Sequence, residues 1–385
     1  MNIPYGRQWI QQDDIAAVLK VLQSDWLTTG PAVKEFETAL AEQTGARYAV
    51  VVSSGTAALH LACLAAEVAT GDLAVSSPNT FVASMNCALY CGARPAFVDI
   101  DSRTYNLDPS RLDSFLESYH REARLKALIP VHFAGQPCDM ERVTRAARKA
   151  RLTVIEDASH ALGAQWKDSQ GEWHKVGSCS HSDMTTLSFH PVKHITTGEG
   201  GAVLTNRADL HEKLKRLRDH GIVRNPSSNG HGAWYYEALD LGFNYRLTDL
   251  QCALGISQLR KLDAWVVRRR EIASLYDRLL GGVDTITIPH QRPNAQSSYH
   301  LYVIQVPFRS RIYRALQARG VGVQIHYVPV HLHPLYRARF GFEPGDFPVA
   351  EAYYERALSV PIFPRLTDDE VRLVVDELKN ALQGS

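Results

Sequence analysis

The chain reads as an α/β protein with a mainly parallel sheet covered on both faces, followed by a smaller α+β part. Three observations predict this. Short runs rich in β-branched residues recur without polar alternation, as in the strands of a doubly covered sheet. Helical apolar patterns lie between several of them. Near residue 245 the alternation stops and a long helical pattern begins.

In order, residues 13–23, "DIAAVLKVLQS", set Ile15, Val18, Leu19 and Leu22 on one helix face. After the loop "DWLTTG", Pro31 opens a second helix that turns Val33, Phe36 and Leu40 inward, and Gly45 ends it. Strands are expected at 48–54, near 73–77, and at 95–100, 127–133, 152–157, 184–189 and 201–205, with helices at 56–66, 80–90 and 139–150. Residues 248–280 read as one long helix entered through Thr248 or Asp249 as N-cap. Beyond the proline- and serine-rich stretch 289–299, strands are expected near 299–306 and 321–327. A final helix starts at about 368, with Thr367 and Glu370 as its capping box. This divides the chain into a large part, 1–250, and a smaller one, 251–385, with the first 30 residues packing across both.

Composition narrows the function classes. The 385 residues are 45% hydrophobic, and 42 basic side chains stand against 41 acidic ones, a net charge of +1. That balance gives no electrostatic reason to expect nucleic acid or a membrane as partner. The basic run "VVRRRE" at 266–271 lies in a helical pattern and reads as a solvated or subunit-contact face. Six scattered cysteines without a CxxC pair read as reduced thiols. The 16 histidines show no metal-ligand spacing, so no metal is expected. "MNIPYGRQWIQQDD" has no apolar signal region and no run reaches membrane-spanning length, which points to the cytoplasm.

Ligands of an open α/β sheet bind outside the carboxyl ends of its strands, so the residues just after each strand carry the chemistry. After the first strand, Ser54, Gly55 and Thr56 open a helix whose free N–H groups suit an anion, although a plain capped turn fits them as well. After "LTVIED", Asp157 can cap the next turn or hold a cationic ring nitrogen, and His160 can cover the same group or be a satisfied core histidine. After "MTTLSF", Ser188 can donate to a phosphate. Lys193 is framed by Pro191 and the glycines of "TTGEGG"; held in a cleft it becomes a nucleophile toward carbonyls, and elsewhere it is a surface lysine. Phe81, in "PNTFVAS", can stack on a ring. A phosphate cradle, a ring-nitrogen carboxylate and an aldehyde-binding lysine at the ends of one sheet together describe pyridoxal 5′-phosphate.

The blocks "SSGTAALHLA", "PNTFVAS", "PVHFAGQPCDM", "IEDASHALGA", "SFHPVKHITTGEGGAVLTN" and "LGFNYRLTDLQCALG" resemble the DegT/DnrJ/EryC1 nucleotide-sugar aminotransferases. The resemblance runs from about residue 3 to 380. It implies the aspartate aminotransferase-like fold type I and a homodimer with shared active sites. It places the family's Schiff-base lysine on Lys193, its pyridine-nitrogen aspartate on Asp157, and phosphate contacts on Gly55, Thr56 and Ser188. His160 falls beside the cofactor, and Asn244 on a phosphate ligand given by the neighbouring subunit. "DASHALG", "FHPVKHITTGEGG" and "QIHYVPVHLHPLY" are most similar to the branch serving pseudaminic acid synthesis. That branch moves an amino group from L-glutamate to C4 of a UDP-4-keto-6-deoxy-N-acetylhexosamine. By the same resemblance Tyr5, Trp26, Leu27, Thr28, Thr29, Ser54, Gln324, Ile325, His326 and Tyr327 line the sugar-nucleotide site. Trp26 and the segment 223–235 lie where sugar specificities differ, and "KDSQGEWHK" (167–175) lengthens a hairpin. The alternatives are an aminotransferase for another 4-keto or 3-keto nucleotide sugar, a sugar 3-dehydratase, or a silent binding relative. The dehydratases carry histidine where this chain has Lys193.

Overall fold

The computed structural model describes residues 2–119, 123–224, 232 and 234–383. Its centre is a seven-stranded sheet. The strands are β1 (Tyr48–Val52), β2 (Asp72–Ser76), β3 (Arg94–Phe97), β4 (Arg124–Ile129) and β5 (Thr153–Asp157), then β8 (Met184–Ser188) and β9 (Gly201–Thr205) after a small hairpin, β6 (Gln165–Lys167) and β7 (Trp173–Lys175). Their order across the sheet is β1-β9-β8-β5-β4-β2-β3. Only β9 runs against its neighbours, β1 and β8.

The period of two along each strand sorts side chains into two cores. Val50 and Val52 of β1 join α3 (Gly55–Ala65), α4 (Ala83–Tyr90) and α7 (Ala208–Arg218) on one face. Ala49 and Val51 join α2 (Pro31–Thr44), α5 (Pro109–Ser118), α6 (Met140–Lys149) and α8 (Asp249–Leu259) on the other. A third core gathers Ile272 to Leu280 of α9 (Leu262–Leu280), the strand pair Tyr302–Gln305 and Ala357–Val360, the helix Asp368–Gln383, and Ile3 from the N-terminus. The capping signals hold locally. Pro31 stands at the first position of α2 and Gly45 closes it at φ 84°. Thr248 caps α8 through a capping box with Gln251, and Thr367 pairs with Glu370.

Two expectations are corrected. The helix expected over 248–280 is two helices, α8 and α9, broken at Arg260–Lys261, where Lys261 turns its amine to Asp13 and Asp14 (2.7 and 2.8 Å). Residues 321–327 are not a strand. The N-terminal segment lies across them, with Gly322 N–H donating to Ile3 O (2.7 Å), and only single bridges form at Val321 and Gln324. The first helix, α1 (Gln12–Leu22), buries Asp14 and leaves Ile15, Leu19 and Leu22 about half exposed. Asp14 is drawn inward by Gln258 (2.7 Å) and Lys261, so polar pairing with α8 and its end fixes the helix's rotation. Among the described residues no helix is long and apolar enough to cross a membrane.

Candidate active site

At the carboxyl ends of the strands lies a cavity of about 390 Å³. The turns after β1, β2, β4, β5 and β8 supply its floor, and Tyr5, His326 and Tyr327 close one side.

The turn after β1 forms a cradle. Ser54 caps α3, its Oγ accepting the Ala57 N–H at 3.0 Å, while its carbonyl accepts the Ala58 N–H. Helix geometry leaves the Gly55 and Thr56 N–H groups for a ligand. Ser188 stands against Gly55: a Cβ added there would sit 2.8 Å from the Ser188 Cβ. Gly201 is as tightly placed, since its Cβ would lie 2.5 Å from Ser54 O. Any side chain at either glycine fills the space that brings β1, β8 and β9 together around the cradle.

Asp157 ends β5 and is 4% exposed. Its Oδ2 accepts the Ser84 hydroxyl (2.6 Å) and its Oδ1 the Ser159 N–H (3.1 Å). His160 Nε2 meets the Tyr327 hydroxyl at 3.1 Å, and its buried Nδ1 has no hydrogen-bond partner among the described residues. Phe81 projects over the cavity, more than half exposed, 6.0 Å from the Tyr327 ring.

Lys193 follows a turn closed by its own N–H to His190 O (2.9 Å). Burial lowers its amine to about 8, opposed by the attraction of Asp157. Burial likewise holds His160, His194 and His300 well below the usual imidazole range, and His326 at about 3, with the Lys193 charge adding to each. These imidazoles are neutral at physiological pH, which leaves Lys193 as the cavity's titrating amine.

The structure thus brings together Lys193, Asp157, His160, Gly55, Thr56, Ser188, Phe81, Ser54, Tyr5, His326 and Tyr327. It does not bring the others there. Trp26 and Leu27 are about half exposed, and Thr28 bridges to Thr248. Thr29 lines a separate, larger groove of about 920 Å³ between α2, β1 and α7, which holds none of the strand-end chemistry. Asn244 bridges to Asp219, and Gln324 is exposed, its side chain accepting the Ile325 N–H (2.9 Å). Of the segment 223–235, residues 225–231 and 233 lie outside the described residues. Sequence reasoning passed over Thr80, Ser84 and Ser159. The first two stand four apart, one helical turn, and that spacing was the available signal.

Comparison with known proteins gives the family. Residues 8–379 match the DegT/DnrJ/EryC1/StrS aminotransferase family. The chain belongs to it. The chain is 38% identical to the spore coat polysaccharide biosynthesis protein SpsC of Bacillus subtilis, covering 100% of this chain and 98% of that protein. It is 37% identical to the UDP-4-amino-4,6-dideoxy-N-acetyl-β-L-altrosamine transaminase of Campylobacter jejuni, covering 99% and 98%. Among solved structures, Helicobacter pylori PseC, an aminotransferase of pseudaminic acid biosynthesis, superposes with a TM-score of 0.91 at 32% identity over the whole of both chains. The protein is therefore a PLP-dependent sugar aminotransferase with the fold shared by that family, and relatives of this fold have been solved in PLP and PMP forms. Its cavity suits the cofactor: a cradle with free N–H groups, a doubly anchored carboxylate, an orphaned buried imidazole nitrogen and a lysine of lowered basicity.

Proposed function

We propose that this aminotransferase moves the amino group of L-glutamate to C4 of a UDP-4-keto-6-deoxy-N-acetylhexosamine, UDP-2-acetamido-2,6-dideoxy-β-L-arabino-hex-4-ulose. In this reading it serves pseudaminic acid or a related surface-glycan sugar in the cytoplasm. Near-full-length likeness to the Campylobacter transaminase supports the sugar. The observation that carries the chemistry is Lys193, a lysine of lowered basicity sharing one cavity with Asp157.

Each residue then has a task. Gly55, Thr56 and Ser188 would hold the cofactor phosphate, Phe81 would cover the ring, and Asp157 would take the ring nitrogen. PLP, when bound, supplies a sink for the electron pair of the amino acid's α-carbon. Lys193 Nζ takes the proton from that carbon and later returns one to the carbon that gains nitrogen, a task that suits an amine titrating near 8. His160, neutral and held by Tyr327, would stand beside the ring without adding a positive charge that competes with Asp157. The large part, 1–250, carries this machinery and the smaller part, 251–385, brings His326 and Tyr327.

The same reading includes a homodimer. Among the described residues Lys193 is the only lysine or arginine lining the cavity, where the carboxyl groups of Asp157 and Glu199 also stand. A phosphate, a nucleoside diphosphate and a dicarboxylate need more cations than that. A second copy bringing Asn244 and its basic neighbours to the rim answers this need. The half-exposed row Ile15, Leu19 and Leu22 offers an apolar face for it.

SpsC is as similar as the altrosamine transaminase, which keeps another keto sugar as the second reading. Mass spectrometry and NMR of products from a panel of UDP- and dTDP-linked 4-keto and 3-keto sugars with glutamate test it. Amination at C4 of the UDP-linked L-arabino 4-ulose, at least tenfold faster than any other sugar, is the expected result. A faster dTDP sugar, or amination at C3, would sink the proposal.

A further inference from the structure

Two hydroxyls stand behind the Asp157 carboxylate. Ser84, in the first turn of α4 and 1% exposed, donates to Asp157 Oδ2 at 2.6 Å. A serine hydroxyl carries one proton. With that proton committed to the carboxylate, Ser84 Oγ is the acceptor in its 2.7 Å contact with Thr80, which is also buried. The chain therefore runs one way, from the Thr80 O–H to Ser84 and from the Ser84 O–H to Asp157. Such a series polarises each member and strengthens the last bond. On the other side the Ser159 N–H holds Oδ1. Two donors, one to each oxygen, fix the plane of the carboxylate. Neutral donors do so without a formal charge. An arginine in their place would neutralise Asp157 and weaken its hold on a cationic N–H.

We infer that Ser84, backed by Thr80, is a positioning residue of the transamination, holding the Asp157 carboxylate aimed at the cofactor's ring nitrogen. The inference rests on the assignment of Asp157 to that nitrogen. Thr80, Ser84 and Asp157 all border the cavity, so the chain ends where the ring would sit. Ser84 is held from behind as well, its carbonyl accepting the Cys87 thiol at 3.2 Å.

Three variants of the PLP-loaded enzyme test this: Ser84→Ala, Thr80→Val and Asp157→Asn. Ser84→Ala is expected to lower kcat about tenfold or more, the scale of one hydrogen bond to a charged group, with KM for glutamate little changed. The visible absorption band of its bound PLP shifts, because the ring nitrogen's proton is held less firmly. Thr80→Val moves kcat and spectrum the same way by about two- to threefold, since it acts one bond further out. Asp157→Asn loses most. If Asp157→Asn collapses while Ser84→Ala keeps both its rate and its spectrum, the positioning role is overturned. A slower Ser84→Ala with an unmoved spectrum overturns it too, leaving only packing. If Asp157→Asn itself keeps its rate, the assignment of Asp157 fails first and the inference with it. Should Ser84→Ala not fold, Thr80→Val decides by the same two readouts.

Discussion

The cavity floor and the outlying residues named with it behave differently in one chain. Lys193, Asp157, Ser188 and Gly55 converge within a single cavity because each ends or follows a strand of one sheet. Asn244, Trp26 to Thr29, Gln324 and Ile325 lie away from it, half exposed or bridged to other loops. A sheet fixes the positions of its own strand ends through its ladder of hydrogen bonds. Loops at the margin are fixed by whatever packs on them, and a second subunit is the candidate here. The floor is thus a property of the chain, whereas in the proposed dimer the margin belongs to the assembly.

The sharpest break of this division is at Lys193. Lys193→Ala should abolish turnover, a loss of several orders of magnitude, with the visible band of bound PLP gone and the circular dichroism unchanged. Lys193→Arg should fail equally, because guanidinium keeps the charge without a nucleophilic amine. Turnover within tenfold of wild type in either variant would place the chemistry elsewhere.

Next in size is the margin. Asn244→Asp puts a carboxylate where a phosphate is expected, so PLP affinity should fall by about tenfold or more. Mixed with Lys193→Ala chains, it should regain activity. With free exchange half the dimers are hybrids, and each hybrid has one site with Lys193 and Asn244 both intact. About a quarter of wild-type activity is the limit. No recovery after mass spectrometry has shown hybrids would return Asn244 to its own chain.

What was legible in the sequence follows the same line. The strand runs of the large sheet, the Pro31 and Gly45 helix ends and the Thr248 and Thr367 caps are local signals, and the structure keeps them. Lys193, Asp157 and Ser188 were visible because a strand end is both a pattern in sequence and a place in space. Ser84 on Asp157 and Tyr327 on His160 were not, since those partners are 73 and 167 residues apart and no periodicity links them. The rotation of α1 was not legible for a related reason. Its apolar face was clear, but Asp14 pairing with Gln258 and Lys261 outweighed it, and helix amphipathicity cannot say whether its partner is the same chain or another.

The smallest expected effect separates floor from margin without any cofactor. In the cofactor-free protein Lys193 titrates near 8, against about 10.4 in an unfolded chain. Below about pH 8 both states are protonated, and the folded one bears the cost of a charge withdrawn from water. Between about pH 8 and 10.4 the unfolded chain binds more protons than the folded protein, so this group's contribution to stability rises with pH. Above that window both are neutral and the cost is gone. Lys193→Met should therefore raise the Tm of the cofactor-free protein by a few degrees at pH 7, and the gain should fade as pH climbs through the window. Asn244→Asp, lying outside the cavity, should follow the wild-type Tm in parallel across the same pH values. A Lys193→Met gain that stays constant from pH 7 to 10.5 would mean that the methionine packs better, and that the lysine's charge was never strained.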